Sequence, residues 1–205
     1  TSTGIDDNAT STAITIDASE NVGIGVVPES WASGYTGLQI GGSGSIMSNG
    51  SSTYYSENYY YDGTDKYITT NEATTIVQAN GKHQFLVAAS GTADTAITWT
   101  TAMTINNSGD VYTGTSNLPA NDNVAGCSLY RDGLFSASRN GDVGSFNKIG
   151  AAGECVTFRN EANKVGSVSV TASAAAYNTS SDYRLKELDV PMEGSIDRLK
   201  LLRPI

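Results

Sequence analysis

Short runs in which apolar and polar residues alternate recur along the chain, separated by glycine-containing turns. In residues 13–17 two isoleucines alternate with threonine and aspartate, and a period of two is typical of a strand with one buried face. Turns are predicted at Asn80–Gly81 and Ser90–Gly91. Further strands are predicted at residues 75–78, 84–88, 96–100, 127–130, 134–138, 155–158 and 165–170.

One strand–turn–strand phrase occurs more than once. Residues 13–25 and 102–114 share Ala, Thr, Ile, Ser, Val and a final Gly at matching positions, and residues 138–144 are a weaker copy. Repetition of this kind indicates a modular β architecture. A helical pattern occurs near the C-terminal end, where Ser195 is the predicted cap and Pro204 the predicted stop. The patterning therefore predicts a mainly β protein with one short C-terminal helix.

The densest aromatic segment surrounds a predicted hairpin turn at Asp62–Gly63. Tyrosine is a good strand residue whose ring packs on a sheet face, so packing is the favoured interpretation, with at least some of the rings buried. The alternative is that exposed rings stack on the sugar rings of a glycan. The candidate binding residues are Tyr54, Tyr55, Tyr59, Tyr60 and Tyr61.

Composition changes the picture of how such strands are stabilised. The 205 residues carry a net charge of −9, with only 16% charged and 8% aromatic residues, so a single chain is not expected to bury a large core. Association of several copies would bury the apolar strand faces. The acidic balance argues against nucleic-acid binding and against binding to anionic membranes, and no run reaches transmembrane length. Because the chain does not begin with Met, it is expected to be a fragment.

Few residues suggest cofactor or metal chemistry. The single histidine, His83, cannot form a multi-histidine metal site within one chain, and Cys127 and Cys155 lack metal-ligand spacing. Free, half-buried thiols are expected. The glycine-rich segment 41–45 lacks the Gly-Lys-Ser/Thr ending of a phosphate loop and is predicted to be a turn. No cofactor and no metal ion are predicted.

The charge pattern changes abruptly near residue 181. Residues 182–205 carry five basic and five acidic residues, whereas all of the net negative charge precedes them, which marks a boundary between two kinds of structure. At this junction Ser181 precedes Lys186 by five positions. A desolvated lysine can act as the base that activates a serine nucleophile. The spacing alone favours a solvated charged segment.

The string Thr179-Ser-Ser-Asp-Tyr-Arg-Leu-Lys-Glu187 resembles the start of the intramolecular chaperone auto-processing domain of bacteriophage tail spikes and tail fibres. The resemblance implies that Ser181 is the nucleophile and Lys186 the base, with Asp182 and Arg184 in support, and that the bond between Ser180 and Ser181 is cleaved. Residues 195–205 also resemble the short helix and Leu-Arg-Pro turn of that family. Its domain extends further, so this chain is expected to contain only the beginning.

The resemblance also implies a fold and a function. The expected molecule is an intertwined homotrimer of β-modules, of β-prism, β-helix-like or small β-sandwich type. Its expected parts are fibre modules at residues 1–115, a distal β module at 116–180 and the beginning of the chaperone domain at 181–205. It would be assembled in the host cytoplasm, join other tail proteins in the virion and attach to a bacterial surface glycan or other receptor. Two alternatives stay open: a non-cleaving structural fibre or decoration protein, and a monomeric β-sandwich lectin.

Overall fold

A computed structural model of the chain describes residues 10–115, 124–179 and 193–202. The protein is mainly β, with 49% strand and one short helix near the C-terminal end, which confirms the fold class at this level. Contacts divide the chain into two compact units, residues 1–143 and residues 144–205. The candidate self-cleavage residues fall outside the described ranges.

The described strands are short and follow one another closely. In the first unit they are β1 (Ile14–Ile16), β2 (Val22–Ile24), β3 (Thr36–Ile40), β4 (Gly44–Ser48), β5 (Ser52–Glu57), β6 (Tyr60–Tyr61), β7 (Asp65–Lys66), β8 (Asn71–Ala79), β9 (Lys82–Gly91), β10 (Thr100–Ile105), β11 (Val111–Thr113), β12 (Gly126–Leu129) and β13 (Phe135–Ser138). The second unit contains β14 (Gly153–Asn160), β15 (Asn163–Val170), β16 (Ala175–Thr179) and helix α1 (Ser195–Lys200).

The first unit is built on one eleven-stranded sheet in the order β1-β2-β3-β4-β5-β8-β9-β10-β11-β12-β13. Neighbouring strands are antiparallel except for the parallel pair β2–β3. Strands β6 and β7 form a separate hairpin between β5 and β8, closed by the predicted turn at residues 62–64. The predicted turn at Asn80–Gly81 is also present, and both residues have the positive φ that it requires.

The repeated phrase forms hairpins with matching hydrogen bonds. In β1–β2 the amide of Asp17 donates to the carbonyl oxygen of Asn21 at 3.0 Å, and Asn106 and Asp110 make the same contact at 3.0 Å in β10–β11. The Oδ1 atoms of Asp17 and Asn106 each accept two amides of their own turn. The two sequence copies are therefore two copies of one structural unit.

The weaker copy predicted at residues 138–144 is wrong. Strand β13 ends at Ser138, and no strand follows before β14. The third hairpin is instead β12–β13, in which the amide of Tyr130 donates to the carbonyl oxygen of Leu134 at 2.8 Å. In this turn Tyr130 occupies the position of Asp17 and Asn106, so the Asx side chain that accepts two amides there is missing and the sequence does not show the repeat.

Three local predictions need correction. Residues 96–100 are not a regular strand, because Ile97 and Trp99 turn into the aromatic cluster described below and only Ala96 forms an isolated bridge. The turn at Ser90–Gly91 is absent, since β9 continues to Gly91. Helix α1 forms as predicted, but its cap is Gly194 and no side chain makes a capping hydrogen bond.

The two faces of the eleven-stranded sheet differ in an unexpected way. The inner face carries small and polar residues that are buried, such as Gln39 at 1% exposure and Ser45 at 3%. The opposite face, called the open face here, carries most of the large aliphatic residues, yet Ile16 is 68% exposed and Phe135 61%. Register places these apolar side chains of the open face in continuous cross-strand rows: Ile14, Ile16, Val22, Ile24, Leu38, Ile40, Ile46, Tyr55, Ile76, Phe85, Val87, Met103, Ile105, Val111, Leu129 and Phe135.

An aromatic cap covers part of the inner face. We define this cap as Trp31, Tyr35, residues 58–70 and residues 92–99, which pack on Met47, Ala73 and Ala88 of the sheet. Two glycines of the sheet leave space for aromatic rings of the cap. A Cβ at Gly37 would overlap the Trp31 indole, and a Cβ at Gly91 would overlap the Tyr67 ring. The core of the first unit therefore lies between the polar face of the sheet and the cap.

The second unit contains a three-stranded antiparallel sheet in the order β14-β15-β16. One face carries Val156, Val168 and Tyr177 in register, and Tyr177 is 84% exposed. The other face carries a polar network in which Glu154 accepts from Lys164 and, at 3.0 Å, from the Ser167 hydroxyl. Helix α1 buries none of its residues. This unit therefore leaves some large apolar side chains exposed, among them Phe158 at 53% and Tyr177.

Candidate functional site

The residues proposed for self-cleavage, Ser181 and Lys186 with Asp182 and Arg184, lie outside the described residues, as does the bond between Ser180 and Ser181. Their proposed chemistry stays a prediction. The sites that the structure does describe are the aromatic cap with its tyrosines and the open face of the sheet.

The five candidate tyrosines do not form one binding site. Strand alternation places Tyr54 on the inner face of β5 and Tyr55 on the open face, where it is 44% exposed. Tyr59 and Tyr60 are buried in the cap at 2% and 5% exposure, whereas Tyr61 is half-buried. The prediction of paired strands with at least some buried tyrosines is confirmed.

Two carboxylates hold the buried rings. The Tyr59 hydroxyl donates to Asp65 Oδ1 at 2.7 Å, and Trp99 Nε1 donates to Asp65 Oδ2 at 2.9 Å. The Tyr60 hydroxyl donates to Asp94 Oδ1 at 2.9 Å. Burial raises the pKa of Tyr59 and of Tyr60, and the hydrogen bond and negative charge of each partner carboxylate raise it further. These hydroxyls stay protonated and serve packing.

Asn58 fastens the cap to the sheet. It is 1% exposed and has a φ of 58°, in the left-handed region that asparagine tolerates. Its Oδ1 accepts from the amide of Thr69 at 2.6 Å, and its Nδ2 donates to the carbonyl oxygens of Thr69 at 3.0 Å and Glu72 at 2.9 Å. One side chain thus closes the loop that carries the hairpin β6–β7.

Three half-buried tyrosines lie together at the edge of the cap, and we call Tyr35, Tyr54 and Tyr61 the tyrosine rim. The ring centroids of Tyr35 and Tyr61 are 4.7 Å apart, and those of Tyr35 and Tyr54 are 6.5 Å apart. Asn49 Nδ2 donates to the Tyr35 hydroxyl oxygen at 3.0 Å. Sequence reasoning missed Tyr35 and Asn49, which lie in loops outside the tyrosine-rich segment. Tyr35 directly precedes β3, and Asn49 directly follows β4, the strand that pairs with β3. The closeness of these two strands in the sequence is the only signal that brings the two residues together.

The surroundings of the rim are acidic. Burial raises the pKa of Glu29, and the nearby charge of Asp94 adds to this effect. Asp62 is paired with Lys66 at 2.6 Å, and this hydrogen bond lowers the pKa of Asp62. The charge of Lys66 is therefore already engaged by Asp62.

The open face is an uncovered apolar surface of the first unit. The sixteen apolar residues named above, one or two on each of the eleven strands, cover roughly 500 Å² of sheet at a strand spacing of about 4.8 Å and about 6.8 Å between side chains on one face of a strand. This lies in the upper part of the roughly 300–600 Å² that the largest apolar patch of a monomeric protein covers, and it is over half of the roughly 800 Å² that one partner buries in a standard interface. A shallow groove crosses its centre, lined by Tyr55, Glu57, Ile76 and Val87. The arrangement suits association with another apolar surface.

Other kinds of site find no support in the described ranges. No group of three or more His, Cys, Asp or Glu side chains is placed to hold a metal ion there. Cys127 and Cys155 are free and half-buried, as predicted. Among the described residues no helix is long and apolar enough to cross a membrane.

Comparison with known proteins found no matching family model, no similar curated protein and no similar solved structure.

Proposed function

We propose that this chain is part of a homotrimeric phage tail fibre or tail spike that attaches to a bacterial surface glycan. The observation that supports assembly is the open face, because its aliphatic side chains are more exposed than the polar side chains behind them. Exposure of that much apolar surface is unfavourable in water, and further copies of the same chain would cover it.

The dimensions of the strands suit a three-fold arrangement. A strand of five residues spans about 17 Å. Three such faces around one axis enclose a column whose centre is about 5 Å from each sheet, by the geometry of an equilateral triangle with sides of one strand length. One layer of Ile, Leu or Phe side chains fills that space. A prism with transverse strands is therefore the form of trimer that we favour.

The phage assignment rests on the junction at residues 179–187. In this proposal the C-terminal segment begins an intramolecular chaperone domain that brings three chains into register and then cleaves itself off between Ser180 and Ser181. The strand pairing of a β trimer is largely non-local, so it forms slowly and exposes strand edges meanwhile. A temporary trimerising domain lowers that barrier, and its removal leaves a product that unfolds slowly.

The test is a chain extended to include the complete chaperone domain, compared with its Ser181→Ala variant. We expect the first to give a subunit that ends at Ser180 by intact-mass measurement and a three-chain mass by sedimentation. We expect the variant to remain uncut yet trimeric, because it lacks only the nucleophile. A stable monomer at micromolar concentration would refute the trimer, and equal cleavage of the variant would refute the role of Ser181.

A further inference from the structure

We propose that the tyrosine rim, Tyr35, Tyr54 and Tyr61, is a binding site for a neutral glycan. The inference rests on the proposed adhesion function and identifies the site and the class of sugar. If the open face packs against other copies, the cap lies on the opposite side of the sheet and remains accessible to a receptor.

The cap tyrosines differ in where their hydroxyls point. Tyr59, Tyr60 and Tyr67 donate to acceptors inside the cap or on the sheet, the last to the carbonyl oxygen of Ala89 at 2.6 Å. The Tyr61 hydroxyl has no hydrogen-bond partner among the described residues. The Tyr35 hydroxyl oxygen accepts from Asn49, which leaves its proton for an external acceptor. The rim therefore offers hydrogen-bonding groups that the fold does not use.

The rim is also held rigidly from behind. Tyr54 packs edge-on against Tyr59 at a centroid distance of 6.1 Å, and Tyr59 packs edge-on against Trp99 at 5.2 Å. Asp65 fixes both Tyr59 and Trp99 through its two oxygens. The amide of Ala32 donates to the carbonyl oxygen of Tyr61 at 2.8 Å. A preformed aromatic surface loses little conformational entropy when it binds a ligand.

The chemistry of this surface matches a pyranose. A sugar ring presents an apolar C–H face to an aromatic ring and hydroxyls at its edge, and ligand sites commonly combine aromatic walls with a few polar groups. The hydroxyls of Tyr35 and Tyr61 would supply those polar groups, together with the remaining N–H of the Asn49 amide, whose Oδ1 already accepts from Ser51 and Ser52.

The charges near the tyrosine rim limit the class of sugar that it can bind. Burial and the neighbouring Tyr35 hydroxyl raise the pKa of Tyr54, and the charge of Asp65 adds to this effect, so a negative charge acts on the rim. Asp62, Asp94 and Glu29 belong to the same cap or contact it, and Lys66 is paired with Asp62. A sugar with carboxylate or phosphate groups would be repelled by this field. The ligand we infer is neutral.

The test is a titration of the full chain with neutral hexose oligosaccharides built from glucose, galactose or mannose, and with an acidic oligogalacturonate of matched length. We expect saturable binding of at least one neutral oligosaccharide and none of the acidic one. Tyr61→Ala and Asn49→Ala should each weaken binding at least tenfold, whereas Tyr61→Phe should weaken it less than Tyr61→Ala because the ring is kept. Tyr177→Ala, an exposed tyrosine in the second unit, is the matched control and should change nothing.

Sedimentation and near-ultraviolet circular dichroism of each variant separate loss of a site from loss of the fold. Absence of binding by every neutral oligosaccharide, preference for the acidic one, or unchanged binding in the folded Tyr61→Ala variant would overturn the proposal. If the chain proves to be a trimer but fails these tests, the glycan site is refuted and the proposed assembly is not affected. If the chain proves to be a monomer and passes these tests, the glycan site is supported and the proposed fibre is refuted.

Discussion

At the scale of single residues, Asp65 has the most consequential contacts in the described structure. Its carboxylate holds Tyr59 and Trp99, and its carbonyl oxygen accepts from the amide of Ile97 at 2.8 Å. The Tyr59 hydroxyl is protonated in this site because burial and Asp65 both raise its pKa. A tyrosine whose pKa is higher in the folded than in the unfolded chain stabilises the fold below its ordinary pKa of about 10, and this contribution is lost as the pH rises further.

Tyr59→Phe tests this contribution. At neutral pH we expect the variant to be less stable by about 1–3 kcal/mol, because Asp65 keeps its desolvated oxygen but loses a donor. Above about pH 10 the wild-type protein should lose stability more steeply than the variant, since only its unfolded chain releases the Tyr59 proton. Thermal unfolding at a series of pH values measures both effects. Parallel curves for the two proteins across that range would show that Tyr59 does not carry the linkage.

At the scale of single elements, turn chemistry explains which hairpins could be predicted. Asn80–Gly81 has φ values of 52° and 71°, and Asn-Gly is the preferred sequence for such a turn. Glu161–Ala162 closes β14–β15 with similar values of 45° and 68°, although neither residue favours them. Only the two strands, and not their turn, were therefore predicted from the sequence there. Seven residue pairs between β14 and β15 hold the turn in a conformation that its own residues do not favour.

Ala162→Gly should stabilise the β14–β15 hairpin. Glycine adopts a positive φ without the steric cost that alanine has, so we expect a gain of about 0.5–1 kcal/mol, or less where the unfolded chain gains entropy. The carbonyl oxygen of residue 162 would still accept from Arg159. Amide hydrogen exchange of β14 and β15 measures the local effect. Gly81→Ala is the opposite control and should destabilise the β8–β9 hairpin. If the amides of β14 and β15 exchange faster in Ala162→Gly than in the unchanged chain, Ala162 is not strained by its positive φ.

Pairing between distant elements was less accessible from the sequence. The repeated hairpins β1–β2 and β10–β11 were identified because residues 13–25 and 102–114 share six residues at matching positions. The parallel pair β2–β3 was not identified from the sequence, because the segment that connects the two strands has no helical or strand pattern. The cap was recognised only through its tyrosine-rich hairpin. Trp31 and Tyr35 approach it through that irregular connection, which sequence periodicity does not describe.

At the scale of the whole molecule, alternation predicted the strands but not which face would be covered. The pattern Ile14-Thr15-Ile16 gives two faces correctly, and the usual expectation places isoleucine inside. In the described first unit the polar face is the covered one, because the residues that connect β5 with β8 and β9 with β10 supply an aromatic layer that accepts small polar neighbours. The aliphatic face is then left uncovered and available for intermolecular contact. No local sequence pattern indicates which of the two faces is covered.

Ile46→Asp distinguishes a trimer held by the open face from a chain that is stable alone. Ile46 lies between Leu38 and Tyr55 in the cross-strand row and is 37% exposed in the single chain. If the chain is stable alone, a charge at this half-exposed position should change stability by only about 1 kcal/mol and leave the sedimentation coefficient unchanged. In a trimer packed through the open face, three carboxylates would be brought together out of water, where each buried charge costs several kcal/mol.

We therefore expect Ile46→Asp to sediment as a monomer or to aggregate, and the unchanged chain to sediment as a trimer. Val27→Asp is the matched control, because Val27 is 72% exposed and lies outside the open face, so it should remain trimeric. The aspartate variant should recover some association at a pH below its carboxyl pKa of about 4, since the neutral acid no longer repels its copies. A trimer that persists in Ile46→Asp at neutral pH would show that the chains associate through some other surface.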